Sequence, residues 1–287
     1  MSSIKDRQRQ AARARLEKEM AERAEAAKKR RQRQAIIGSA IGVVVIAGAV
    51  IFLINVLRDD DKPSTEAGAP PAGTVACSWQ PEAGGEAQGG AKPVDVGTPP
   101  PNAPNTGKDT LTMTTSLGAI TATVDKAKTP CTAAAFEFLA SKKFWDGSKC
   151  HRMTTQSIKV LQCGDPTAKG KGYRQTDGTG GPSFRYAEEN LPTAAGGASP
   201  APGSPPAYPV GSIAMAKTQE PASTGSQFFI VYGETPLPPD YTLLGTITKG
   251  MDVVNKVAKG GVDDANGPGD GHPKVEIEIK QMTMAAA

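Results

Sequence analysis

Residues 35–57, AIIGSAIGVVVIAGAVIFLINVL, carry no charged side chain over 23 positions. A helix at the surface of a globular domain presents one polar face to water, and this run has none. About 20 apolar residues in a helix cross the hydrocarbon of a bilayer, and the Gly and Ala content suits a membrane helix. The expectation is a single transmembrane helix over 35–57. Twelve Lys and Arg residues fall within 1–34 against five acidic ones, and Asp59, Asp60 and Asp61 follow the apolar run one residue on, after Arg58. The positive-inside bias then puts 1–34 in the cytoplasm and everything after 57 outside the cell membrane. A cleaved signal peptide has a shorter apolar region with a small-residue site close behind, so the segment reads as an uncleaved signal anchor.

The basic tail, 1–34, is rich in Ala, Glu, Lys and Arg, which favour helix. Its apolar residues are sparse, with Leu16 and Met20 nearly alone in its middle. It is expected to lie solvated or on the membrane surface, touching anionic lipid heads rather than nucleic acid. Residues 58–108 are dominated by Pro, Gly and Ala and bury too little apolar surface to offset the entropy of ordering. They read as an extracytoplasmic tether. The exception is Thr74–Gln80, TVACSWQ, whose Cys77 and Trp79 are expected to dock on the folded part.

That folded part is 109–287. Asp109–Val124 alternates apolar and Thr residues around Gly118, the mark of a hairpin. Thr129-Pro130 opens a helix with Thr129 as its N-cap. Lys169–Pro182 reads as an exposed, mobile loop, and Leu191–Pro209 as an inserted surface loop. Strands are expected over Val210–Ala216, Gln227–Tyr232 and Leu243–Ile247, a helix over Met251–Ala258, and a last strand through Val275, Ile277 and Ile279. The pattern is mainly β, antiparallel and barrel-like.

His151–Asp165, HRMTTQSIKVLQCGD, is the most informative stretch. It reads as two short strands around a Thr/Ser-rich turn, and alternation with a hairpin brings Arg152 and Gln162 onto one face. A second stretch, Gly225–Ile230, adds the amide of Gln227 beside Phe228 and Phe229. Adjacent residues on a strand face opposite ways, so one of Phe228 and Phe229 belongs to the core; Phe228 is taken for it, and Met215 is assigned to the core by the same alternation.

Taken in order, Trp145-Asp146-Gly147, His151-Arg152, Gln162-Cys163-Gly164-Asp165, Gly178-Thr179-Gly180-Gly181, Ala214-Met215-Ala216 and Gly225-Ser226-Gln227-Phe228-Phe229 resemble the signature of the cyclophilins, peptidyl-prolyl cis–trans isomerases, here in a bacterial, membrane-anchored form. The resemblance covers about Asp109–Met282. It implies a closed eight-stranded antiparallel barrel capped by two helices, with its site on the outside. It also implies rotation about X–Pro bonds, substrates that are proline-containing unfolded or exported polypeptides, and no cofactor or metal. By resemblance, Arg152 is the donor to the twisting amide, Gln162 orients it, and Gln227 holds the residues before the proline. Phe229 is the floor of the proline pocket with Val160, Leu237 and Tyr241 around it. Ala216 and Lys217 line the edge beside the substrate backbone, and Thr179, Gly180 and Ser226 border a neighbouring pocket. His151 is expected to be a structural hydrogen-bonding residue. Pro236 stands where animal members often have Trp, so weak cyclosporin binding is expected.

Cys77, Cys131, Cys150 and Cys163 all follow the apolar run, and their four thiols allow three full pairings. At least one bridge is expected. A Cys150–His151 nucleophilic pair is rejected because neighbours on a strand point apart. Two readings compete with the enzyme: a non-catalytic proline-peptide-binding or holdase module using the same groove, and an envelope scaffold in which the basic tail matters most.

Overall fold

The computed structural model describes residues 69–82, 90–192 and 207–287. The expected tail over 1–34 and membrane helix over 35–57 lie outside them, as do 58–68 and 83–89 of the expected tether and 193–206 of the expected surface loop. Among the described residues no helix is long and apolar enough to cross a membrane.

In chain order the elements are β1 (Thr74–Ala76), β2 (Gln80–Pro81), β3 (Asn102–Pro104), β4 (Lys108–Thr115), β5 (Gly118–Asp125), helix α1 (Pro130–Ser141), β6 (Ser148–Lys149), β7 (Arg152–Thr154), β8 (Val160–Cys163), β9 (Phe184–Arg185), β10 (Ser212–Met215), β11 (Phe228–Val231), β12 (Leu243–Lys249), helix α2 (Met251–Lys259), β13 (Asp270–Gly271) and β14 (Glu278–Ala286). The hairpin β4–β5 forms as its alternation requires. Leu111, Met113, Ile120, Ala122 and Val124 are all buried, and Thr residues take the positions between.

Ten strands make one antiparallel sheet in the order β13-β7-β8-β11-β10-β12-β5-β4-β14-β6. The expected ladder was eight-stranded and closed. The observed one is curled, ten-stranded and has two ends. Between β6 and β7, Cys150 N–H donates to Ile277 O at 3.1 Å and His151 N–H to Gln162 O at 3.1 Å, so this short run is bonded on the β14 side and then on the β8 side. The count differs because this run is split into β6 and β7, and because Asp270–Gly271 adds an edge strand in a Gly/Pro-rich turn with no periodicity to announce it. The interior holds Phe136, Leu139, Trp145, Met153, Leu161, Met215 and Phe228 in one apolar cluster. Helix α1 packs on β14 and β3, and α2 on β5.

Three expectations need correction. The described parts of 58–108 are not an extended tether, because 69–82 and 90–108 belong to the same compact unit as the barrel, Ala69–Ala287. Strand pairing β1–β3 and β2–β9, the Cys77–Cys131 disulfide, and Trp79 edge-on to Phe184 and Tyr186 at 5.5 and 5.4 Å fix them. Thr74–Gln80 does dock on the domain. Thr129 occupies the cap position of α1 but makes no side-chain cap. Its hydroxyl donates to Asp125 O instead, while Glu189, far along the chain, accepts the N–H groups of Cys131 and Thr132 at 3.3 and 2.5 Å. A carboxylate suits the positive end of a helix better than a hydroxyl does. The last strand begins only at Glu278, leaving Val275 and Ile277 ahead of it, and runs to Ala286, because Ile279–Ala286 pairs with β4.

Candidate active site

The site is built by register. Cross-strand partners in a sheet share a face. Arg152 on β7 stands opposite Gln162 on β8, Gln162 opposite Phe229 on β11, Phe229 opposite Ala214 on β10, and Ala214 opposite Leu243 on β12. One row thus crosses five strands on the outer face, with strands about 4.8 Å apart. The guanidinium lies at one end and apolar side chains at the other. Phe228, one residue away, points inward against Phe136.

The polar end is a chain of hydrogen bonds. Asp270 receives Arg152 Nε–H at 2.8 Å and Nη2–H at 2.6 Å. Arg152 Nη1 approaches Gln162 Oε1 at 3.4 Å, and Gln162 Nε2 donates to Gln227 Oε1 at 3.0 Å. Gln227 Nε2 donates to Gly178 O at 2.8 Å and to Gly180 O at 2.9 Å. The hydrogen bond to Asp270 raises the Arg152 pKa further, and the same bond holds the Asp270 carboxyl below its ordinary range. The pair therefore stays ionised through neutral and mildly acidic pH.

The apolar end is a cluster separate from the interior core. Val160, Tyr208, Ala214, Phe229 and Val231 are buried there, with Ile158, Ala216, Leu237, Tyr241 and Leu243 packed around them. Tyr241 meets Phe229 edge-on at 5.5 Å, and Tyr208 meets it at 6.2 Å. Beside the polar end a cleft of about 730 Å³ opens, lined by Gln162, Gln227, Ala216, Lys217, Thr179, Gly180 and Ser226, and by Glu82, Ala91 and Pro93 of the amino-terminal stretch. Gly180, which lines the cleft, has no room for a side chain, since a Cβ there would meet Asp165 Oδ1 at 2.2 Å; nor has Gly164, with φ +101°, where a Cβ would meet Ser226 O at 2.4 Å.

The family model for cyclophilin type peptidyl-prolyl cis-trans isomerase/CLD matches residues 110–284. The chain belongs to the cyclophilin family. It is a peptidyl-prolyl cis–trans isomerase of the cyclophilin type. It is 38% identical to a probable peptidyl-prolyl cis-trans isomerase B of Mycobacterium leprae over 78% of this chain and 69% of that one. It is likewise 38% identical to the protein of the same name in Mycobacterium tuberculosis, over 66% of this chain and 61% of that one. Among solved structures it resembles a Cryptosporidium parvum cyclophilin type isomerase, with TM-score 0.47 and 22% identity over 63% of this chain and 99% of that one.

Against this cyclophilin frame, the structure gathers all twelve residues singled out in the sequence onto one face, in two halves. Gln162, Gln227, Ala216, Lys217, Thr179, Gly180 and Ser226 line the cleft; Val160, Phe229, Leu237 and Tyr241 belong to the apolar cluster; Arg152 lies beyond Gln162 in the strand row. Several side chains are differently engaged from what the resemblance implied. A carboxamide has two N–H donors, and both of those on Gln227 are taken by Gly178 and Gly180. Gln227 therefore braces the 178–180 loop rather than offering a donor outward. Ala216 N–H is spent on Gln227 O at 2.9 Å, Lys217 Nζ meets Asp240 at 3.1 Å, and Ser226 Oγ–H turns to Gly164 O at 2.8 Å. The His151 ring does not hydrogen-bond: it is buried, and neither ring nitrogen meets a partner among the described residues. Burial pushes its pKa down to about 4.

The expected mobile loop 169–182 is partly pinned. Asp165 Oδ2 accepts the N–H of Gly178 at 2.6 Å and of Gly180 at 3.1 Å. Three contributors escaped the sequence reading. Asp270 sits in GPGDG, where an aspartate looks like any turn residue. Tyr208 clamps Tyr241 by accepting its N–H at 2.8 Å and donating to its carbonyl at 2.9 Å; a lone aromatic closing a Pro/Ala/Gly-rich run was a usable signal. Ala91 N–H, bonded to Thr179 Oγ1 at 2.8 Å, lay in a stretch taken for a tether.

Proposed function

We propose that the isomerisation is carried by Arg152, held by Gln162 and followed across the sheet by the Phe229 hollow. The observation that supports this most is the register row, which sets the guanidinium and Phe229 on one face two strands apart. The barrier to rotating an X–Pro bond is ~18–20 kcal/mol and comes from amide resonance. A donor beside the proline nitrogen favours the pyramidal nitrogen of the twisted amide and so weakens the partial double bond. A ring gripped by Val160, Phe229, Leu237 and Tyr241 stays fixed while the preceding carbonyl turns. Both act more strongly on the twisted state than on either planar isomer, which is what lowers a barrier. No nucleophile takes part.

The test is a protease-coupled assay on proline peptides, comparing the full chain with Arg152→Ala. Loss of most of the acceleration supports the reading. Equal rates favour the runner-up, a groove that binds proline segments or holds unfolded chains without turning them over.

The setting is a bacterial cell surface in this reading. The uncharged run 35–57 anchors the chain, 1–34 stays in the cytoplasm against lipid, and the isomerase domain acts outside on exported polypeptides. The two disulfides, Cys77–Cys131 and Cys150–Cys163, support an oxidising compartment. Protease added to intact cells should remove the isomerase domain; protection of the domain would place it inside.

A further inference from the structure

We propose that Asp270 is a positioning residue for the isomerase reaction, fixing the Arg152 guanidinium so that its two uncommitted N–H groups face the substrate. This rests on the reading of Arg152 as donor. A guanidinium has five N–H groups in one plane. Asp270 takes two in a fork, at 2.8 and 2.6 Å, and Gln162 takes a third at 3.4 Å. One N–H remains on Nη1 and one on Nη2. Gln162 alone, with a single long contact, leaves the group free to swing about its stem; a parallel carboxylate fork fixes both its plane and its rotation.

The carboxylate is itself held. Asp270 Oδ1 also accepts Asn266 Nδ2–H at 3.2 Å, and the Asp270 backbone pairs with Asn266 N–H at 3.0 Å and Gly267 O at 2.9 Å. Strand β13 lies against β7, the strand that carries Arg152, with Asp270 opposite Thr154. Behind it, Asp263 gathers Ala265 N–H, His272 N–H and the His272 ring, and Asp264 accepts Gly269 N–H at 2.7 Å. The turn is thus a hydrogen-bonded frame that aims the Asp270 carboxylate at the guanidinium.

The experiment is a cycle on the full chain: wild type, Arg152→Ala, Asp270→Ala and the double variant, each assayed for kcat/KM and KM on one proline peptide. Asp270→Ala is expected to lower kcat/KM about tenfold with KM little changed, since misaiming a donor acts on the twisted state. In the Arg152→Ala background the same change should do nothing further, which a merely structural role would not produce. Should Asp270→Ala fail to fold, Asp270→Asn removes the charge but not the shape, and about a threefold loss with the same non-additivity is expected. Wild-type kcat/KM in the folded Asp270 variant, or an equal loss in both backgrounds, overturns the proposal. A full rate for Arg152→Ala instead overturns the donor reading beneath it.

Discussion

His151 is a side chain whose burial carries a cost. It lies between Cys150 and Arg152, 4% exposed, with both ring nitrogens unpartnered. Burial lowers its pKa from 6.5 to about 4 in the folded chain. Between those values the unfolded chain takes up a proton that the folded chain refuses. Stability therefore falls as pH drops through 6.5, and the loss is complete below about 4, on the order of 3 kcal/mol. The expected outcome is that the stability gap between wild type and His151→Gln, measured by urea unfolding at pH 7.5 and 4.5, shifts in favour of the variant at the lower pH. Parallel behaviour at both pH values would contradict it. Subtracting the variant removes contributions common to both proteins, such as Asp270 and Asp263, whose carboxyls are held low, and Glu189, whose carboxyl burial raises.

At the scale of elements, the start of α1 shows why local sequence was an incomplete guide. Thr129-Pro130 marks the right boundary, and Pro130 sits in the first turn as it should. The cap comes instead from Glu189, more than fifty residues on, which no window along the chain reveals. Glu189→Ala should cost about 1–2 kcal/mol, the usual loss of a helix cap with buried N–H groups left unpaired. A thermal melt reads it directly; an unmoved midpoint would mean that water serves as well. The strands were legible for the opposite reason. Alternation is local, so the β4–β5 hairpin and the opposite facing of Phe228 and Phe229 could be placed from spacing, although which of the two points inward could not. Strand β13 could not, because two residues carry no period, and with it went Asp270.

For the whole molecule, composition misjudged one region. Pro, Ala and Gly in 58–108 promised a tether, yet 69–82 and 90–108 are built onto the barrel, where Ala91 and Pro93 line the cleft beside Gln227. Only the single Cys and Trp betrayed it. The signature residues, by contrast, were legible as a set through their order and spacing along the chain. Two disulfides tie that arrangement together, one fastening the amino-terminal stretch to α1 and one joining Cys150, just ahead of the strand of Arg152, to the strand of Gln162. The account turns on Arg152 acting on the twisting bond and not merely on binding. Exchange NMR on a proline peptide saturated with the full chain separates the two, because it reads cis–trans interconversion on the bound peptide. For Arg152→Ala the account predicts that the peptide still occupies the Phe229 hollow while the on-enzyme exchange rate falls by about tenfold or more, ~1.4 kcal/mol of barrier. Undiminished exchange in that variant, with the peptide bound, would contradict it.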